Sequence, residues 1–200
     1  MRYFTQKLWA GAQGSGDSEE NNALWDSAFK EYREQLELLR PRVSPSAFDF
    51  FSSADIHDGE LLEVRVADGS RPAPIGTPTR RWSRSNQFPV RLQLKVLDAY
   101  DKLIWELYYS TLRRVVIDYP SSDPLFHSPG EGFGDLGYHE LTDAGDGFLR
   151  HEVLFATGAS LLFEFQAVHV ASRTRSLDDA QPTVAGAGQT ANQADASPHG

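Results

Sequence analysis

Asp58-Gly59-Glu60-Leu61-Leu62-Glu63-Val64-Arg65-Val66 is the stretch that decides the fold. Asp-Gly supplies turn chemistry. Beyond it Leu62, Val64 and Val66 alternate with Glu63 and Arg65, the period of two that sends successive side chains to opposite faces of a strand. Upstream the period is different. Between Ala23 and Arg40, residues Trp25, Ala28, Phe29, Tyr32, Leu36 and Leu39 recur at spacings of three and four and draw one apolar stripe on a helix. Lys30, Glu31, Glu34, Gln35 and Glu37 fall largely on the other side, and Pro41 ends the element. Ser44-Pro45-Ser46 then reads as an N-cap followed by proline at the first helical position, opening a short helix through Phe48, Phe50 and Phe51. Phe4, Leu8 and Trp9 fit a further helical turn on the same core, and Gly11 to Asn22 reads as a loop.

Downstream the strand period recurs. Val90, Leu92, Leu94 and Val96 share one face, with Arg91, Gln93 and Lys95 on the other. Leu103 to Tyr119 is β-branched and aromatic but too long for one regular strand, so a bulge or kink is expected around Ser110-Thr111. Tyr138 to Leu141, Phe148 to Phe155 and Leu161 to Val170 complete the set, with turns at Asp143–Gly147 and Thr157–Ala159. Short connections without intervening helices predict an antiparallel meander. The expected class is α+β: short N-terminal helices packed on a curved antiparallel sheet of about six strands, with a disordered C-terminal tail. The helical segment occupies 1–58 and the β domain 59–172, the two forming one compact unit. The tail covers 173–200, and from Ser176 onward it contains no aromatic residue.

Composition narrows the function. The 200 residues carry 19 Lys+Arg against 28 Asp+Glu, a net charge of −9, which disfavours nucleic acid as a partner because that contact needs cations to displace counterions. The same balance disfavours a polybasic membrane anchor. There are no cysteines, which removes disulfides, thiolate nucleophiles and Cys-based metal sites. Thr5, Gln6 and Lys7 interrupt any secretory apolar region of about 7–15 residues, and nothing approaches the roughly 20 apolar residues of a membrane span. A cytoplasmic protein is expected.

Four stretches bear on chemistry. His57-Asp58 pairs an imidazole with a carboxylate and reads either as a proton-transfer or metal-binding pair or as an entry corner to the sheet. His139-Glu140 and His151-Glu152 flank the Asp143–Gly147 turn. If Thr142 pairs with Gly147, His139 faces Arg150 and the histidines lie on opposite faces; a loop one residue wider sets His139 directly opposite His151. Arg71 to Arg84 is an extended, proline-rich loop in which Arg80, Arg81 and Arg84 surround Trp82; it reads either as a solvated insertion between two strands or as a grip for a phosphate, a carboxylate-rich partner or a single-stranded base, and it is the first binding candidate. The glycine-rich run Pro129–Gly137 leads into a strand rather than a helix and carries Glu131 and Asp135, which excludes a phosphate cradle.

The opening Tyr3-Phe4-Thr5 with Trp9, the His57-Asp58-Gly59 entry and the Tyr138-His139-Glu140 strand ahead of Phe163 and Phe165 resemble a bacterial family of unknown function with a helical start and a β domain. The layout is also similar to small immunity proteins of bacterial toxin systems. The resemblance spans about residues 1–172, leaving out a tail too polar to pack. Ile56 stands where those corners usually have leucine, and the Arg71–Arg84 insertion is a departure. The resemblance implies no established activity and transfers no catalytic residue; what it favours is a binding role.

The expectation is therefore a non-enzymatic binding protein with a protein partner, using Arg80, Arg81, Trp82 and Arg84, with no cofactor. The alternatives are a metal-dependent hydrolase built on His57, Asp58, His139 and His151, and a small-ligand-binding sheet lined by Trp105, Tyr109 and Phe155.

Overall fold

The computed structural model describes residues 1–14, 19–68, 90–100, 102–119 and 132–176. Arg80, Arg81, Trp82 and Arg84, and the tail from residue 177, lie outside them. Among the described residues the helices are α1 (Gln6–Gly14), α2 (Glu19–Leu39) and α3 (Pro45–Ser53). The strands are β1 (Glu60–Asp68), β2 (Val90–Leu97), β3 (Leu103–Ser110), β4 (Arg114–Asp118), β5 (Leu136–Gly145), β6 (Phe148–Phe155), β7 (Ser160–Phe165) and β8 (Ala167–Thr174).

The helices follow their sequence signals. Tyr32, Leu36 and Leu39 are buried on the stripe of α2, while Trp25 and Ala28 are half-buried. Ser44 caps α3: its hydroxyl accepts from the Ala47 N–H at 3.3 Å, and Pro45 occupies the first turn. The loop expected over Gly11–Asn22 is shorter than its composition suggested. Helix α1 runs to Gly14, and α2 begins at Glu19, where two glutamates in the first turn suit the positive end of the helix.

The β domain departs from the expected single layer. Among the described residues it forms two four-stranded antiparallel sheets, in the orders β1-β2-β3-β8 and β4-β7-β6-β5. Two of the six extended runs seen in the sequence are shared between the sheets. The Leu103–Tyr119 run breaks at Thr111, whose φ is 56°, and the Leu161–Val170 run bends at Gln166. On one side of the bend β3 pairs with β8 (Ser110 opposite Ala167); on the other, β4 pairs with β7 (Arg114 opposite Glu164). The Arg113 N–H donates to the Glu164 carbonyl at 2.9 Å, carrying the pairing through the corner. Strands that change sheet at such a corner let both layers bury their apolar faces in one interior.

That interior holds Leu94, Leu107, Tyr109 and Val170 from the first sheet and Leu141, Val153, Phe163 and Phe165 from the second. Gly59 forms a bridge to Leu136, joining the start of β1 to the start of β5. Helix α3 packs against β8 and β5, outer strands of different sheets, and inserts Phe50 and Phe51 into the core. The segment Met1–Phe4 and the Trp9 ring instead cover the opposite face of β5 and β6, around Tyr138, Glu140 and Leu154. No helix among the described residues is long and apolar enough to cross a membrane.

Candidate functional site

The turn Ile56–Gly59 positions the site. The Gly59 N–H donates to the Ile56 carbonyl at 3.1 Å, and Asp58 holds a φ of 61°, a conformation that Asp tolerates better than most residues. Gly59 is required sterically, since a Cβ there would sit 2.3 Å from the Leu97 carbonyl oxygen. The Asp58 N–H then donates to the Leu136 carbonyl at 2.7 Å, which fixes β5 beside the end of α3. His57 stands on this turn with Nδ1 3.0 Å from the Asp58 carboxylate, its ring edge-on to Tyr138 with centroids 4.8 Å apart.

The two other histidines meet in a register that neither expected arrangement described. Asp146 and Gly147 alone turn the β5–β6 hairpin, both at positive φ (55° and 80°), the requirement of a two-residue type I′ turn. With a further irregularity between Asp143 and Gly145, His139 falls opposite Val153 and His151 opposite Leu141. The histidines are thus diagonal neighbours on one face, with ring centroids 5.5 Å apart. Phe51 lies over both, at 5.6 Å from His139 and 4.9 Å from His151. His151 Nδ1 shares a 2.6 Å hydrogen bond with the Tyr109 hydroxyl, whereas His151 Nε2 and His139 Nδ1 are buried without a partner. Burial brings the pKa of His139 down to about 4. Burial, reinforced by the charge of His139, holds His151 well below its ordinary range. Both rings are neutral near pH 7.

Of the four alternative catalytic residues, the fold therefore brings His139 and His151 together and leaves His57 and Asp58 on the turn. Among the described residues no three His, Cys, Asp or Glu side chains converge as metal ligands would. Tyr109 and Phe155, expected to line an open concave face, are enclosed in the core at 1% and 0% exposure.

A cleft of about 320 Å³ opens between α2, the end of α3 and β5. Phe29, Tyr32, Phe51, His57, Tyr138 and His139 contribute to its walls, with Arg33 and Asp55 as charged members. Tyr32 braces it: its hydroxyl accepts from the Leu141 N–H at 3.2 Å and donates to the Phe51 carbonyl at 3.3 Å. Because the Leu141 N–H points away from β6, the N–H and C=O of His139, two residues back in unbroken register, point the same way, off the outer edge of β5 on the side where Tyr32 takes the Leu141 N–H. The cleft is therefore apolar in its walls and has main-chain hydrogen-bonding groups at one edge. A larger hollow of about 410 Å³, near Arg42 and Arg150, offers less, because most of the charges lining it are already held in ion pairs. Arg42 binds Asp143 at 2.9 Å, Arg150 binds Glu164 at 2.8 Å, and the Met1 amino group binds Glu152 at 2.7 Å.

Comparison with protein-family models, with curated proteins and with solved structures found no match.

Sequence reasoning reached His57 and His139 but not Tyr32, Phe51 or Arg33. Tyr32 belonged to a helical stripe indistinguishable from ordinary core. Its second role, bracing an edge strand, depends on a contact 109 positions away in the chain. The glutamates of the two His-Glu doublets were also missed as structural clamps, although strand alternation forces each glutamate to the face opposite its histidine.

Proposed function

We propose that this chain is a non-enzymatic binding protein whose recognition site is the cleft between α2, α3 and β5. Its occupant is a small, largely apolar group that also carries a hydrogen-bonding function. One observation carries the reading: aromatic walls enclose about 320 Å³ beside the outward-facing main chain of His139. Small-ligand sites commonly combine apolar walls with a few fixed polar groups in this way. The titratable side chains behind the cleft do not favour proton-transfer chemistry, since His151 and Tyr109 are 0% and 1% exposed. The resemblance in sequence layout to small immunity proteins accords with a binding role and contributes no residue to it.

Benzamide is a suitable probe, with toluene as its purely apolar counterpart. Titrated into ¹⁵N-labelled protein, benzamide is expected to move the amide resonances of Gly137, Tyr138 and His139 saturably and to bind more tightly than toluene. Ser53→Trp, which puts a large ring at the rim, is expected to abolish the effect while leaving the circular-dichroism spectrum unchanged. Absence of saturable shifts for both probes, or shifts indifferent to Ser53→Trp, would remove the cleft as the site.

A further inference from the structure

Strand β1 ends its sheet, and no described strand pairs with its outer side beyond the single Gly59–Leu136 bridge at its start. From Arg65 to Asp68 the strand is exposed, and Val66, an apolar residue on the inward side of the pleat opposite Leu92, is 51% accessible. Soluble proteins usually protect such an edge, because its unpaired N–H and C=O groups are a template for another strand. A bulge at Leu62 gives partial protection at one end; the remainder from Glu63 to Asp68 is in regular register with β2.

The side chains of this edge are complementary to themselves. In an antiparallel pairing of two copies about a two-fold axis at Val64, Glu63 faces Arg65 of the second copy, and the reverse pair forms by symmetry. Val64 then meets itself, and Val66 lies opposite the bulge at Leu62, at the limit of the regular pairing. Moving the axis by one residue in either direction sets Glu63 or Arg65 against its own copy, a like-charge opposition that destabilises a strand pair. Moving it by two leaves both charges facing apolar or uncharged residues. Only the Val64-centred register joins opposite charges. Glu60 and Asp68 oppose one another in it, but at the ends of the paired segment. Lys95 already binds Glu63 at 2.7 Å, whereas Arg65 forms no ion pair among the described residues and is available to complete a Lys95–Glu63–Arg65 row across the junction.

We infer that β1 is a homodimerisation edge, joining two copies of this chain through antiparallel β1–β1 pairing centred on Val64 with Glu63 against Arg65. The paired segment is about five residues a side, well below the roughly 20–30 of a standard specific interface, so the dimer is weak and reversible. It is independent of the cleft reading, because β1 contributes no wall to that cleft.

Sedimentation equilibrium of the full chain from 10 µM to 1 mM tests the inference. The wild type is expected to pass from the mass of one chain toward that of two. Arg65→Glu and Glu63→Arg each place like charges opposite one another twice, and each is expected to weaken self-association at least tenfold. An equimolar mixture of the two variants restores both opposite-charge pairs, so the heterodimer is expected to recover the wild-type affinity. A residue acting only on the fold of its own chain would not be rescued by mixing. A single-chain mass throughout the range for the wild type overturns the inference. So does self-association that survives in both variants, or a mixture that remains monomeric.

Discussion

Glu140 and Glu152 stand directly opposite each other across β5 and β6, and the first residues of the chain occupy both carboxylates. Two like charges in that position repel in an isolated hairpin. Here Glu152 accepts from the Met1 amino group at 2.7 Å, while Glu140, fully buried, accepts from the main-chain N–H groups of Arg2, Tyr3 (2.9 Å) and Phe4 (3.2 Å). The acidic pair is thereby turned into a fastening for a segment with no secondary structure of its own.

Glu140→Gln tests that fastening. A neutral amide accepts more weakly, and its NH₂ group competes with the N–H donors it must face. We expect a loss of about 1–3 kcal/mol in urea denaturation, the cost of leaving buried donors unsatisfied. Hydrogen exchange at Tyr3 and Phe4 should accelerate selectively. Unchanged exchange there would mean the segment is held by its aromatic contacts alone.

His139, half-buried on the wall of the cleft, and His151, fully buried, make a pH prediction with a definite sign. The pKa of His139 in the folded chain is about 4, below the ordinary 6.5 that applies when unfolded. Above pH 6.5 the ring is neutral in both states and stability is full. As pH falls from 6.5 toward 4 the unfolded chain binds the proton first and stability is lost, by about 3 kcal/mol for a shift of this size. His151 acts in the same direction. Glu164 titrates lower: burial alone would raise its pKa, but Arg113 and Arg150 outweigh that and keep it below its ordinary value. His139→Phe, which suits a site already lined by Phe50 and Phe51, should flatten the dependence of urea midpoints between pH 6.5 and 4.5. An unaltered slope would place the acid sensitivity elsewhere.

Gly137 is where the Trp9 ring meets β5. A Cβ there would stand 2.2 Å from the indole, so Gly137→Ala must push the ring away. Overpacking of this kind costs about 1–3 kcal/mol. Tryptophan emission should shift to the red as Trp9, now 5% exposed, moves toward water.

Tyr32→Phe removes the hydroxyl that bridges the Leu141 N–H and the Phe51 carbonyl, leaving both without that partner. A loss of about 1–3 kcal/mol is expected. Benzamide binding in the cleft should weaken as well, because the brace between β5 and α3 is gone. Retained affinity would show that α3 holds its place by apolar packing.

Much of the fold was legible because it is written in local periodicity. The α2 stripe, the Ser44-Pro45 cap and the alternating strands each follow from residues a few positions apart. The division into two sheets was not legible. It depends on which distant strand lies beside each half of a long run, and only Thr111 marks one of the bends. The hairpin register failed for a narrower reason: Asp143–Gly147 contains two glycines and two aspartates, and more than one tight turn can be drawn through it. At the site, His57 and His139 were visible by residue type. The cleft itself exists only because helix and strand residues far apart in sequence close around it.

The bends at Thr111 and Gln166 have a consequence for how the molecule comes apart. Since the same two lengths of backbone belong to both layers, neither layer can open while the other stays intact; tearing one pulls the ladder of its neighbour. Denaturation of the β domain should accordingly be all-or-none. The slowest-exchanging amides should line the Leu107–Val170 and Val115–Phe163 pairs on either side of the corner, rather than concentrate in a single sheet.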